Sequence, residues 1–206
     1  MIGEVRIVDD VPGSFAELVL EEAPESIALS GGSLARRCYE ELAARDVDWR
    51  AVSVFLGDER VVPVDHEESN EGMARRVLLD RASPAVIHSM VGLGAEAYDA
   101  LVRECPPIDL VHLGVGPDGH TASLFPGAPQ LDVSDRYVVD AGDAAHPHPR
   151  ITFTFPAIAR SQLAIVTVAG DDKRDAWHRI VDGGDVPAAR IDASRVIWLV
   201  DQAVVA

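Results

Sequence analysis

The chain has 206 residues, 48% of them hydrophobic and 25% charged, the proportions of an ordinary water-soluble globular protein. Asp and Glu number 34 against 18 Lys and Arg, a formal charge of -16, and a field of that sign repels nucleic acid and anionic membranes. No apolar run reaches the roughly 18 residues of a membrane span, the N-terminus MIGEVRIVDD is too acidic for a signal peptide, and Cys38 and Cys105 make neither a disulfide framework nor a metal spacing; a cytoplasmic protein is expected.

EVRIVDD reads as a strand and residues 12–22 as a helix. SIALS is a second strand, followed by Gly31-Gly32 and the amphipathic segment SLARRCYEELAAR, with Leu34, Cys38 and Leu42 at helical spacing. AVSVFLGD is a strand; SNEGMARRVLLDR and AEAYDALVREC are helices. IDLVHLGVG is an apolar strand running into a Gly-rich turn, ITFTF a short strand, LAIVTVAG a buried strand, DDKRDAWHRIVD a helix and VIWLV a closing strand. Residues 140–150, DAGDAAHPHPR, read as an exposed loop between strands. Strands alternating with helices, several of them continuously apolar, predict an α/β fold with a mostly parallel sheet covered on both faces. A single domain over residues 1–206 is expected.

An anion would need a local nest of cations and N–H groups in so acidic a chain. Ser30-Gly31-Gly32-Ser33 follows a strand and opens a helix, where free N–H groups and the helix dipole face outward. A plain turn with Ser33 as N-cap accounts for the same residues. Lys173, after Gly170-Asp171-Asp172, falls in the first turn of a helix, against the dipole. It either pairs with a ligand anion or with a neighbouring aspartate. Gly57-Asp58-Glu59-Arg60 follows an apolar strand, and these charges form either an internal network or a cleft-facing group in which Arg60 holds an anion. Arg150, just before ITFTF, is placed to do likewise.

The densest stretch is residues 113–127, LGVGPDGHTASLFPG, at the carboxyl end of a strand, where open α/β sheets place their ligands. Asp118 and His120 lie two apart among glycines, so a carboxylate can orient an imidazole, the side chain suited to take a proton from water near neutral pH. Gly114-x-Gly116-x-x-Gly119 with Asp140 downstream formally matches a dinucleotide fingerprint. Pro117 and Pro126 and the late position of the strand argue against it. His146 and His148 stand in the Pro-rich loop without a complementary carboxylate or cysteine set, so no metal site is expected.

SGGS, DERVVPVDHEESNEGM, GVGPDGHTASLFPG, RITFTFPAI and VAGDDK, in this order, resemble the 6-phosphogluconolactonase family. The resemblance implies a Rossmann-like α/β sandwich shared with sugar-phosphate deaminases and isomerases, no cofactor or metal, and hydrolysis of a phosphorylated sugar lactone. It makes His120 the base, with Asp118 orienting it. Ser30, Gly31, Gly32 and Ser33 would cradle the phosphate with Lys173, Arg60 and Arg150, and Asp58 and Asn70 match motif positions. The expected partner is the small-molecule sugar phosphate lactone alone, with the protein a monomer. Two departures stand out: Leu34-Ala35 follow SGGS where the family usually has Thr-Pro, and the chain is compact between Asp80 and Ile108. Leu124-Phe125-Pro126 occupy the stretch where the deaminase relatives carry Asn-Glu, a contrast with those relatives that favours hydrolysis over isomerisation.

Overall fold

The structure, a computed structural model, describes residues 3–142 and 147–206. Its frame is a seven-stranded sheet in the order β1-β10-β9-β6-β2-β3-β5, every pairing parallel. The strands are β1 (Glu4–Val8), β2 (Ser26–Leu29), β3 (Ser53–Leu56), β5 (Val86–Ile87), β6 (Leu110–Gly114), β9 (Leu163–Val168) and β10 (Arg195–Asp201). The expected α/β sandwich is thus observed. All six residues of β9 are buried, as a strand covered on both faces requires. Burying a Val, Leu or Ile side chain contributes about 1.5–3 kcal/mol, so these continuous apolar runs hold the sheet together.

Helices cover the sheet for local reasons visible in the chain. In α1 (Val11–Glu22), the Gly13 N–H donates to the Asp10 carboxylate at 3.2 Å and Pro12 starts the first turn. Helix α2 (Ser33–Ala43) buries Ala35, Cys38, Tyr39 and Leu42, one stripe at helical spacing. In α3 (Asn70–Ala74), the Gly72 N–H donates to Ser69 Oγ at 2.9 Å. This helix runs on through a π-helical stretch, Arg75–Leu79, into α4 (Asp80–Ala82). Helix α5 (Met90–Glu104) breaks helical geometry at Gly94 (φ 78°), so its regular part begins at Ala95. The remaining helices are α6 (Phe155–Ala159), α7 (Arg174–Val181) and α8 (Gln202–Val205).

A second sheet corrects the sequence reading. Strand β4 (Asp58–Arg60) pairs antiparallel with β8 (Arg150–Phe153), and β8 with β7 (Val138–Ala141). Read from sequence, AVSVFLGD is one strand running through Asp58; in the structure β3 ends at Leu56, and Asp58, Glu59 and Arg60 form a strand of their own in the second sheet, separated from β3 by Gly57 alone. Likewise Asp140, Ala141 and Arg150 of the expected loop are strand residues. Within that loop His146 and residues 143–145 lie outside the described residues. Among the described residues no helix is long and apolar enough to cross a membrane.

Candidate active site

The loops leaving β2, β3, β6 and β9 open at one edge of the parallel sheet, and there they enclose a cleft of about 290 Å³. Ser30, Gly31, Gly32, Ser33, Asp58, Arg60, His120, Arg150 and Lys173 all line it, joined by Asn70. Six chain segments distant in sequence, at residues 30–33, 58–60, 70, 120, 150 and 173, are thereby brought together at the strand ends where α/β sheets bind ligands.

At the first segment the N-cap of α2 is Gly32, not Ser33, and no side chain caps it. Gly32 takes φ 99°, a conformation that costs glycine little and other residues much. The first N–H groups of α2 therefore face the cleft without an internal acceptor, the arrangement that favours a bound anion. A Cβ on Gly31 would lie 1.9 Å from Asn70 Oδ1, so glycine is required for the loop to back onto Asn70. Leu34 and Ala35, which stand where relatives were expected to carry Thr-Pro, also line the cleft.

Behind Ser30 lies a buried relay that sequence reasoning missed. The Ser30 N–H donates to Tyr39 Oη at 2.7 Å, Tyr39 Oη meets His112 Nδ1 at 2.8 Å, and His112 Nε2 meets Thr167 Oγ1 at 3.0 Å. Burial drives the His112 pKa down to about 3, so the ring is neutral near pH 7. With one proton, the network is satisfied when Tyr39 donates to Nδ1 and Nε2–H donates to Thr167. Thr167 lines the cleft, so this relay joins the β2 loop to the end of β9.

Asp58 and Arg60 alternate with Glu59 along β4, as strand geometry demands. The first two face the cleft; Glu59 points away and is 1% exposed. Its Oε1 accepts from the N–H groups of Arg60 and Asn70, each at 2.7 Å, and its Oε2 from the Glu71 N–H at 2.7 Å and Ser69 Oγ at 3.0 Å. Burial pushes this carboxyl up, against the pull of those donors. Glu59 thereby fixes the start of α3, and with it Asn70. Asn70 donates to the Asp58 carbonyl at 2.9 Å and accepts from Arg60 Nη1 at 2.9 Å. Ser123 Oγ donates to Asp58 Oδ2 at 2.7 Å and accepts from Arg150 Nη1 at 3.5 Å.

Arg60 and Arg150 are register partners on β4 and β8, and their Nε groups are buried without an acceptor. Burial and then the Arg60 charge push the Arg150 pKa down. Two half-desolvated guanidinium groups facing one cleft, each with an unused donor, are poised for an oxyanion. Lys173, in a 3₁₀ turn ahead of α7, meets Asp172 Oδ2 at 3.0 Å and lines the same cleft. Of the two alternatives read from sequence, the pairing with a neighbouring aspartate is the one observed, and the side chain also borders the cleft.

His120 Nδ1 lies 2.6 Å from Asp118 Oδ1, which also accepts the His120 N–H at 3.1 Å. Burial raises the Asp118 pKa, but the His120 backbone N–H, its imidazole charge and its side-chain bond outweigh this and hold it below the ordinary value. Asp118 does not itself line the cleft; it acts on His120 from behind. With Nδ1–H bonded to a carboxylate, Nε2 is the basic nitrogen. A Cβ on Gly116 would fall 2.1 Å from His120 Cε1 and 2.8 Å from Asp118 Oδ1. Gly116 therefore makes room for the dyad, whereas Gly119 (φ 88°) backs onto Val186. The strand is followed by a turn-rich loop rather than a helix, and Asp140 stands on β7 in the other sheet, which removes the structural basis of the dinucleotide fingerprint.

Parallel strand ends, an uncapped helix start, three cations and a carboxylate-held imidazole meet in one cleft of an α/β protein, an arrangement chemically suited to a small anionic ligand. The comparisons place it further. A family model described as "Glucosamine-6-phosphate isomerases/6-phosphogluconolactonase" matches residues 6–198, and the chain belongs to that family. A 6-phosphogluconolactonase of a Synechocystis species is 39% identical over 205 residues, covering 89% of this chain and 85% of its own. The crystal structure of a Thermotoga maritima 6-phosphogluconolactonase superposes with a TM-score of 0.86 at 27% identity, over 97% of this chain and 99% of its own. A monomeric glucosamine-6-phosphate deaminase reaches a TM-score of 0.82 at 17% identity over 98% of each chain, a likeness of fold alone.

Proposed function

We propose that this chain hydrolyses 6-phospho-D-glucono-1,5-lactone to 6-phospho-D-gluconate, the second step of the oxidative pentose phosphate pathway, with His120 as general base. The observation that carries the reading is the dyad, with His120 Nδ1 held 2.6 Å from Asp118 on the wall of a cleft lined by Arg60, Arg150 and Lys173. The 6-phosphate binds at the start of α2 and the cations, which leaves the lactone C1 to face His120. Water attacks C1 as His120 Nε2 takes its proton, forming the new C–O bond and an oxyanion. The oxyanion collapses, the bond from C1 to the ring oxygen breaks, and His120 returns the proton to that oxygen. The product carboxylic acid then releases its own proton to solvent. No covalent enzyme intermediate is required. Asp58 is a positioning residue in this scheme: its carboxylate orients Ser123 and Asn70 rather than meeting the phosphate. One contiguous cluster of buried residues running from Val11 to Val204 supports treating the chain as one domain, and we expect it to act as a monomer.

The reaction is tested by generating the lactone in place from glucose 6-phosphate and following 6-phosphogluconate formation with and without protein. Acceleration over spontaneous opening is expected. No acceleration, or turnover of glucosamine 6-phosphate instead, would overturn the assignment. Leu124-Phe125-Pro126, where the deaminases of the resemblance carry a carboxylate, argues for hydrolysis over isomerisation. Phe125 packs its ring 4.9 Å from that of His120.

Asp118→Asn replaces an acceptor at Nδ1 with a group that can present a donor, which favours the wrong tautomer. A buried triad aspartate changed in this way costs about 10⁴-fold. Asp118 is half exposed and water can partly substitute, so a fall of roughly tenfold to 10³-fold in kcat is expected, with KM little changed. Steady-state kinetics would refute the orienting role if KM alone moved.

Arg150→Met should separate binding from folding. Losing one charge-assisted contact to phosphate, about 1.5–3 kcal/mol, should raise KM roughly 10- to 100-fold. The same change relieves repulsion with Arg60 and removes a buried unpaired Nε, so the melting temperature of the free protein should not fall. A lower melting temperature with unaltered KM would make Arg150 a structural residue.

A further inference from the structure

The expectation that His148 lacks a complementary carboxylate does not survive folding. His148 Nε2 lies 2.7 Å from Glu68 Oε2, and the His66 ring stands 5.3 Å, centroid to centroid, from that of His148. One ligand-type atom from each of His66, Glu68 and His148 falls within 4.8 Å of the others. The three residues come from two segments far apart in sequence, the DHEESN turn after β4 and the approach to β8. The β4–β8 pairing brings them together, continued by a Val61 N–H bond to the Pro149 carbonyl at 2.8 Å.

We propose that His66, Glu68 and His148 form a surface site for a divalent transition-metal ion of the zinc type, outside the catalytic cleft. Two imidazoles and one carboxylate with an open fourth position suit zinc, whereas magnesium and calcium prefer all-oxygen sets. Bonds of about 2.0–2.1 Å in a tetrahedron separate ligand atoms by about 3.3 Å, so capture needs only side-chain adjustments. The existing bonds give way at small cost. The Glu68 N–H bond to His66 Nδ1 is long, at 3.2 Å, and the proton between His148 and Glu68 leaves as the metal enters. Arg60 Nη1 bonds the Glu68 carbonyl at 2.7 Å rather than its carboxylate, which leaves the carboxylate for a cation. Arg60 and Arg150 are the nearby opposing charges, while Asp65 and Glu67 flank His66 in the chain and add negative potential. A bound ion would staple together the two segments that carry Arg60 and Arg150.

Zinc chloride is titrated into the metal-stripped full chain against a chromogenic chelator, with thermal melts in parallel. The wild type and the His120→Ala variant should each bind one equivalent, with a melting temperature that rises with zinc. His148→Ala and Glu68→Gln should weaken binding by at least the roughly 10- to 100-fold that losing even an outer-shell partner costs a metal site. All three ligand side chains are exposed or half-buried, so these variants are expected to fold, as their melts without zinc would verify. Binding absent from the wild type, unchanged in His148→Ala and Glu68→Gln, or lost only in His120→Ala would each overturn the site. The readout is independent of the proposed hydrolysis, so failure of one leaves the other standing.

Discussion

His120→Ala should lower kcat on the phosphorylated lactone by roughly 10²–10⁴-fold, the range that general-base catalysis supplies, while KM changes little. In the proposed binding mode the phosphate meets the α2 start, Arg60, Arg150 and Lys173, and His120 makes none of those contacts. The ring is about one-third exposed, and Gly116 leaves room for it without bearing load through it. Truncation should therefore leave the fold intact, and the melting temperature is the control. Rates must be corrected for spontaneous opening of the lactone, which sets the floor of the assay. A variant turning over near the wild-type rate would remove His120 from the mechanism and direct attention to Asp58 and Asp172, the carboxylates that also line the cleft.

The largest effect on stability should come from a residue with no part in the chemistry. Glu59→Ala leaves three backbone N–H groups and Ser69 Oγ without their acceptor in a site that is 1% exposed. Each buried unsatisfied donor costs about 1–3 kcal/mol, and with some relaxation and water entry a total of about 4 kcal/mol is expected, among the larger single-residue effects. For a chain of this size that lowers the melting temperature by about 2–4 °C per kcal/mol. Residual folded protein should also show a raised KM, since Asn70 would no longer hold Arg60. Calorimetry and kinetics on the same preparation would check both, and a melting temperature within about 2 °C of wild type would show that solvent satisfies these donors.

Glu59 also marks the limit of what the sequence discloses. SGGS and GVGPDGH stand out because glycines after apolar strands have few purposes, and each was placed correctly at the sheet edge. Asp58-Glu59-Arg60 carries no apolar residue to mark it as a separate strand, although its alternation matters: two side chains face the cleft and one faces α3. The partners of Glu59 lie ten to twelve residues onward at Ser69, Asn70 and Glu71, and only the fold of the intervening turn brings them near. Ser69 as the cap of α3 was the available signal. Strand β5 has two residues, too short for periodicity to register, and half of β7 lies in the segment 140–150 that reads as an exposed loop. The Tyr39–His112–Thr167 relay joins a helix to two strands through side chains that, read singly, are ordinary core residues. His148 meets its carboxylate for the same reason, through the pairing of β4 with β8, which no local pattern in either segment discloses.

The single-residue junction at Gly57 has an evolutionary corollary. Chain leaves the parallel sheet at Leu56 and enters the antiparallel one at Asp58, with the Gly57 N–H donating to the Leu29 carbonyl at 2.8 Å and its own carbonyl accepting from the Phe153 N–H at 2.7 Å. Because side chains alternate along a strand, one added residue here would exchange faces: Glu59 would turn into the cleft, and Asp58 and Arg60 would turn out of it. Divergence by insertion or deletion is thereby closed off at this joint, and descendants of this fold must vary their length elsewhere.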